Sequence, residues 1–317
     1  MGESGKIVII GAGHVGSHCA LSLALAEAAT EIVLVDSLPD KAHAQALDIA
    51  DALSFPPRAV TVRSGDYAEA SDADIVIVAV GEARKPGQTR LDLFDSSLRM
   101  ISGLVQTLKP LSIPGIVITI TNPADIVAHM VRTGLNLSRE RCFGTGTLLD
   151  TARLVRLLSE AAGVPRAEVS GLVMGEHGDS SVSVFSQARL AGKSFAEFAA
   201  GDTATPASPP LDKVALTQGT RQAGMTVIIG KGSTEFGIGQ VTARLCASIL
   251  GGKSEVFPLS AALEGEYGQS GVNAGVPCRV GRNGIEEILE LPLAPEEKEA
   301  FASSCAVIRG FIARAGT

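Results

Sequence analysis

Two groups of residues in this 317-residue chain have types and spacing that could do chemistry. The first is Gly11-Ala12-Gly13-His14-Val15-Gly16, with Asp36 following 20 residues after Gly16. A GxGxxG turn alone is weak; strand, glycine turn, helix, strand and acid in that order is much stronger. Gly11 permits the tight turn. Gly13 lets backbone approach a pyrophosphate on a helix N-terminus, and Gly16 lets helix and strand pack closely. Asp36 would accept from both hydroxyls of an adenosine ribose and repel a 2′-phosphate, which reads as NAD rather than NADP. The second group is Gly175-Glu176-His177-Gly178-Asp179. The unperturbed pKa of histidine lies near neutrality, so His177 could give and take a proton. Taken singly, it could equally be a structural histidine.

These residues need a frame to hold them. Apolar runs fall at 6–10, 31–35, 74–80 and 115–120, with a weaker one at 59–63. Helical patterns fall between them at about 14–28, 38–52, 90–108 and 123–133. Val and Ile runs without alternation suit strands buried on both faces, so the first half predicts an α/β, Rossmann-type doubly wound parallel sheet. Cys142-Phe143 reads as a last short strand. The second half predicts an α+β domain: a helix over 148–162, strand-like pieces at 169–174 and 182–190, and helices over 211–228 and 235–250. A strand at 276–280 and a terminal helix over 295–314 complete it. Gly201 to Pro210 reads as an exposed loop. The expected domains are 1–145 and 146–317.

Hydrophobic residues make up 45% and charged residues 19%, which suits a soluble α/β protein of two domains. The net charge of -7 predicts no general attraction to nucleic acid or to an anionic membrane. No apolar stretch reaches the roughly 18 to 20 residues that span a bilayer. The first strand begins by Lys6, leaving no room for a signal peptide. Cys19, Cys142, Cys246, Cys278 and Cys305 are scattered and lack CxxC spacing. They read as reduced core thiols of a cytoplasmic protein. Glu176 and Asp179 flank His177, but no second His or Cys lies at ligand spacing, so no metal is expected. His14, His18, His43 and His129 read as structural or exposed.

Four further motifs narrow the choice: Gly81-Glu82-Ala83-Arg84-Lys85-Pro86-Gly87-Gln88-Thr89-Arg90, Thr121-Asn122-Pro123, Gly146-Thr147-Leu148-Leu149-Asp150-Thr151-Ala152-Arg153, and the segment around His177. In this order and spacing the chain, from about residue 6 to about 290, resembles the lactate/malate dehydrogenase family. The resemblance implies an NAD-dependent oxidoreductase that interconverts an L-2-hydroxy acid and its 2-keto acid. It assigns His177 as the acid/base and Asp150 as the carboxylate that holds the imidazole. Arg153 matches the arginine that grips the substrate carboxylate through two parallel hydrogen bonds. Arg90 matches the one that polarises the reacting carbonyl when a mobile 82–90 loop closes. Asn122 matches a side chain that bonds the same oxygen near the nicotinamide ribose. With Gly11, Gly13, Val15, Gly16, Asp36 and Gly81 it completes the expected cofactor site. A homo-oligomer, dimeric or tetrameric, is also implied.

The substrate is where the residues disagree. In the resemblance, Arg84 occupies the loop position that faces the far end of the substrate. An arginine there pairs with the second carboxylate of oxaloacetate, and enclosing it beside pyruvate would cost about 1–3 kcal/mol or more. Gln88, Thr234 in Lys231-Gly232-Ser233-Thr234, and the segments around Asp150 and His177 resemble the lactate and 2-hydroxyisocaproate types instead. L-lactate dehydrogenase is the expectation, with malate dehydrogenase as the alternative. Relatives activated by fructose bisphosphate carry an Arg and a His where this chain has Val155 and Ser170, so no such activation is expected. A non-catalytic NAD-binding redox sensor would have lost the substrate residues, and here they are all present. An NAD-dependent glycosidase would need a metal-binding Cys/His pair, which the sequence lacks.

Overall fold

The computed structural model describes residues 5–55, 57–81, 90–201 and 211–315, with 90–93 described by backbone alone. Arg84, Gln88 and nearly all of the expected loop up to Pro210 lie outside these residues.

In the first half, β1 (Lys6–Ile10), β2 (Glu31–Val35), β3 (Thr61–Ser64), β4 (Ile75–Val78), β5 (Ile116–Thr119) and β6 (Cys142–Gly144) are strands. The helices between them are α1 (His14–Leu25), α2 (Pro39–Ala52), α3 (Arg90–Leu108) and α4 (Ala124–Gly134). The strands lie in the order β3-β2-β1-β4-β5-β6, and all neighbours are parallel. That order reverses between β1 and β4, which opens a crevice at the carboxyl ends of these two strands. The Val and Ile side chains of β4 are fully buried, as are nearly all those of β1, β2 and β5. Each contributes about 1.5–3 kcal/mol of burial, and together they make the sheet a rigid platform.

In the second half, α5 (Leu148–Ala162) is followed by the short strands β7 (Val169–Ser170), β8 (Val173–Met174), β9 (Val182–Ser183), β10 (Arg189–Leu190) and β11 (Lys193–Ser194). The helices α6 (Phe195–Ala200), α7 (Lys213–Lys231) and α8 (Phe236–Leu250) come next. A meander of β12 (Glu255–Glu264), β13 (Ser270–Gly281) and β14 (Gly284–Ile288) precedes α9 (Pro295–Ala315). Two elements differ from expectation. The lone strand at 276–280 is part of a long hairpin, β12–β13, and β14 extends it. The hairpin also joins the parallel sheet, since Ser260 of β12 pairs with Gly144 of β6, so one mixed sheet of nine strands runs through the molecule. Pro258 and Pro277 face each other in the hairpin register. Proline argues against an interior strand, and the small residues around them give no period.

All five cysteines are buried and free. Burial pushes the Cys19 and Cys142 thiols up to about 12, which leaves them unreactive near neutrality. Among the described residues no helix is long and apolar enough to cross a membrane.

Candidate active site

The glycine turn sits where β1 feeds α1. Gly11 has φ +108°, and a Cβ there would overlap the Ala79 backbone. A Cβ on Gly16 would overlap the Gly11 carbonyl, so the turn and helix approach as closely as glycine allows. Gly13 caps α1 with no side-chain bond to the first-turn N–H groups, and a Cβ at Gly13 would have only the Lys41 amine within reach, at 3.9 Å. The helix N-terminus is therefore open to an anion, the feature a dinucleotide pyrophosphate requires. Val15 is half-buried on the first turn of α1. Asp36 stands at the end of β2, where Oδ2 accepts from Ala12 N at 2.8 Å and Oδ1 from Leu38 N at 3.1 Å. Partial burial opposes ionisation of Asp36, but these amides and Lys41, 3.3 Å away, hold its carboxyl below the usual range. A charged acid beside the turn fits a ribose with free hydroxyls. Gly81 is exposed just after β4, and Thr121 Oγ1 donates to Val80 O at 2.7 Å, tying the ends of β4 and β5 together.

The histidine end of the candidate site is built on α5. Thr147 Oγ1 donates to Val173 O at 2.6 Å, and Val173 N donates to Thr151 Oγ1 at 2.9 Å. These two threonines stitch the start of α5 to β8, and the loop leaving β8 brings His177 over Asp150. His177 Nδ1 lies 2.6 Å from Asp150 Oδ2, and Arg153 Nη1 donates to Asp150 Oδ1 at 2.9 Å. Asp150 is 5% exposed, whereas the His177 side chain retains 24% exposure. Burial would lower the imidazole pKa, but the Asp150 carboxylate, with Asp125 behind it, raises it above its ordinary value. Burial likewise opposes charge on Asp150, and His177 and Arg153 outweigh it, so its pKa is lowered. The pair therefore favours imidazolium beside carboxylate. His177 Nε2 makes no hydrogen bond among the described residues.

Asn122 is exposed at the end of β5, joined to Pro123 by a cis peptide bond just before α4. Thr234 is half-buried between α7 and α8. This junction lies near α5, because a Cβ on Gly237 would fall 2.9 Å from Leu149 Cδ1. On α7, a Cβ on Gly224 would fall 3.2 Å from Arg153 Nη2. His177, Asp150 and Arg153 thus come together as one hydrogen-bonded group, and Asp36 meets the glycine turn. Arg84 and the side chain of Arg90 lie outside the described residues; Arg90 itself begins α3. Of the other histidines, His14 and His43 are exposed, His18 packs edge-on against Phe236, and burial holds the His129 pKa down.

Three further residues belong to this neighbourhood: Lys41, Gly224 and Asp125. Lys41 follows Asp36 by five positions, a cation near an acid that a closer reading of α2 could find. Gly224 and Asp125 gave no signal, since their partners are distant in the chain. Glu176 turns away from the ring and accepts from Ser180 N at 3.1 Å.

Residues 5–144 match the lactate/malate dehydrogenase NAD binding domain, and residues 147–315 match the lactate/malate dehydrogenase alpha/beta C-terminal domain. The chain is 40% identical to an L-lactate dehydrogenase of Fusobacterium nucleatum, over 98% of this chain and 96% of that one. It is 37% identical to L-lactate dehydrogenase 2 of Lactococcus lactis, over 98% of each. The crystal structure of the minor L-lactate dehydrogenase from Enterococcus mundtii in its ligand-bound form superposes with a TM-score of 0.92, at 34% identity and 98% coverage of both chains. With its glycine turn, its Asp36 and its His177–Asp150–Arg153 group, the chain belongs to the lactate/malate dehydrogenase family.

Proposed function

We propose that this chain is an NAD-dependent L-lactate dehydrogenase, reducing pyruvate and oxidising L-lactate. The observation that carries the reading is the bonding of both His177 and Arg153 to the buried Asp150. Bound nicotinamide supplies or accepts the hydride. The chain's own residues do the rest. His177, with Nδ1 occupied by Asp150, holds the transferable proton on Nε2 and gives it to the oxygen of the keto acid. Arg153 offers a planar guanidinium for the substrate carboxylate. The family resemblance assigns Asn122 and Arg90 to the reacting oxygen, Thr234 and Arg84 to the substrate, and Gly11, Gly13, Val15, Gly16, Asp36 and Gly81 to the cofactor.

The names of the relatives support pyruvate, and Arg84 is the one residue that favours oxaloacetate. NADH oxidation against a panel of 2-keto acids tests the choice. The expected result is the highest kcat/KM with pyruvate; a preference of about 100-fold for oxaloacetate would replace the reading with malate dehydrogenase. We also infer a cytoplasmic homo-oligomer, supported by the reduced buried thiols and by exposed apolar side chains such as Ile229 and Phe236. Val155 and Ser170 offer no charge to a phosphate, so fructose bisphosphate is expected to leave the KM for pyruvate unchanged. The residue boundaries 1–145 and 146–317 fit a cofactor part and a substrate part.

A further inference from the structure

Asp125 is the most deeply buried acid in this neighbourhood, 1% exposed at the second residue of α4. Its Oδ2 accepts from the backbone N–H of His177 at 2.8 Å, and its Oδ1 accepts from Ser260 Oγ of β12 at 2.6 Å. A buried carboxylate is costly unless it is hydrogen-bonded and opposite a positive charge. Here both oxygens are bonded, and the cation at hand is the imidazolium of His177. Asp125 also follows Asn122 by three residues, on the same helix start. One side chain thus joins the turn at the end of β5, the histidine loop and the meander.

We propose that Asp125 is a positioning residue for His177, a second carboxylate that fixes the histidine loop to the Asn122 turn and adds to Asp150 in stabilising the imidazolium. The proposal rests on reading His177 as the acid/base. The charged and titratable groups around this pair are few. Asp150 and Arg153 face the imidazole from α5, with opposite effects on its charge. Glu176 on the same loop and Cys305 on α9 lie near Asp125. Burial pushes the Asp125 carboxyl up to about 6 even though Ser260 and His177 pull it down, which leaves it just below neutrality. It is therefore ionised at neutral pH, where its charge adds to that of Asp150 at the imidazole.

A purely structural acid at this place would hold the loop and leave the titration of His177 alone. Asp125→Asn separates the two roles, because an amide keeps an acceptor for His177 N and loses the charge. The test is an NMR titration of the His177 ring in the NADH complex, assigned by comparison with His177→Asn. The expected result is a fall in the His177 midpoint of about half a pH unit or more. The KM for pyruvate should then be unchanged at pH below both midpoints and raised several-fold above them, with kcat less affected. Ser260→Ala leaves the carboxylate in place but weakens its ionisation, so it should move the midpoint the same way by less. It carries the test if Asp125→Asn does not fold. A midpoint within about 0.2 of wild type, in whichever variant folds, overturns the proposal. Failure of the enzymatic reading is a different result: no pyruvate turnover by wild type, whatever the midpoint does.

Discussion

At the scale of single residues, Asp150 serves two cations at once, His177 through one oxygen and Arg153 through the other. The first contact occupies Nδ1 and leaves Nε2 as the ring nitrogen for the proposed proton transfer. It also keeps the imidazole charged to higher pH than an isolated histidine, even though burial works the other way. Reduction of a keto acid consumes the imidazolium. The KM for pyruvate should therefore be flat below the raised pKa and climb about tenfold per pH unit above it, with lactate oxidation showing the reverse trend. Asp150→Asn removes the charge that raises the pKa. The climb should then begin at lower pH, with kcat/KM reduced by about 100-fold; steady-state kinetics across pH 5 to 9 would check this, and an unshifted profile would contradict it. These residues were legible in the sequence because each lies in a short, ordered motif. Asp125 was not, since its bond to His177 spans 52 positions and nothing local marks a buried acid.

At the scale of elements, α7 shows how packing reaches the site. Asp212 caps it by accepting from Val214 N and Ala215 N, and its C-terminal half exposes apolar side chains. Gly224 lies against the Arg153 guanidinium, where a methyl group would need the arginine to give by a few tenths of an ångström. Gly224→Ala should therefore separate two effects. Helix propensity favours alanine by roughly 0.5–1 kcal/mol, so thermal stability should hold or rise. The KM for pyruvate should rise by about tenfold as Arg153 is displaced, with a smaller change in kcat. An unchanged KM would show that the guanidinium tolerates the methyl. The parallel strands and their helices were legible because continuous Val and Ile runs alternate with amphipathic stretches. The β12–β13–β14 meander was largely hidden, because Pro258, Pro277 and stretches such as Ser260-Ala261-Ala262 carry neither alternation nor β-branched runs. Its pairing depends on β6, more than a hundred residues earlier.

At the scale of the whole molecule, one mixed sheet carries both ends of the site. The cofactor turn lies on β1, Asn122 on the end of β5, and the hairpin beyond β6 supplies Ser260 to Asp125. The first turn of α8 touches both Leu149, beside Asp150, and α1, where a Cβ on Gly239 would fall 2.9 Å from the His18 carbonyl oxygen. The first and second halves of the chain are thus in direct contact. Ile228 and Ile229 are adjacent on α7 and 45% and 80% exposed, an apolar pair that a second copy of the chain could cover. Sedimentation or light scattering should give a mass that is a multiple of the single chain; a monomer at micromolar concentration would contradict the oligomer.

His177 is proposed as the acid/base of an NAD-dependent lactate dehydrogenase. The most direct measurement is pyruvate-dependent oxidation of NADH by wild type and His177→Asn, with NADH affinity measured on both. The expected result is efficient turnover by wild type, a loss of about a thousandfold or more in kcat/KM for the variant, and unchanged NADH affinity. Turnover by the variant within a few-fold of wild type, or no turnover of pyruvate by wild type, would contradict it.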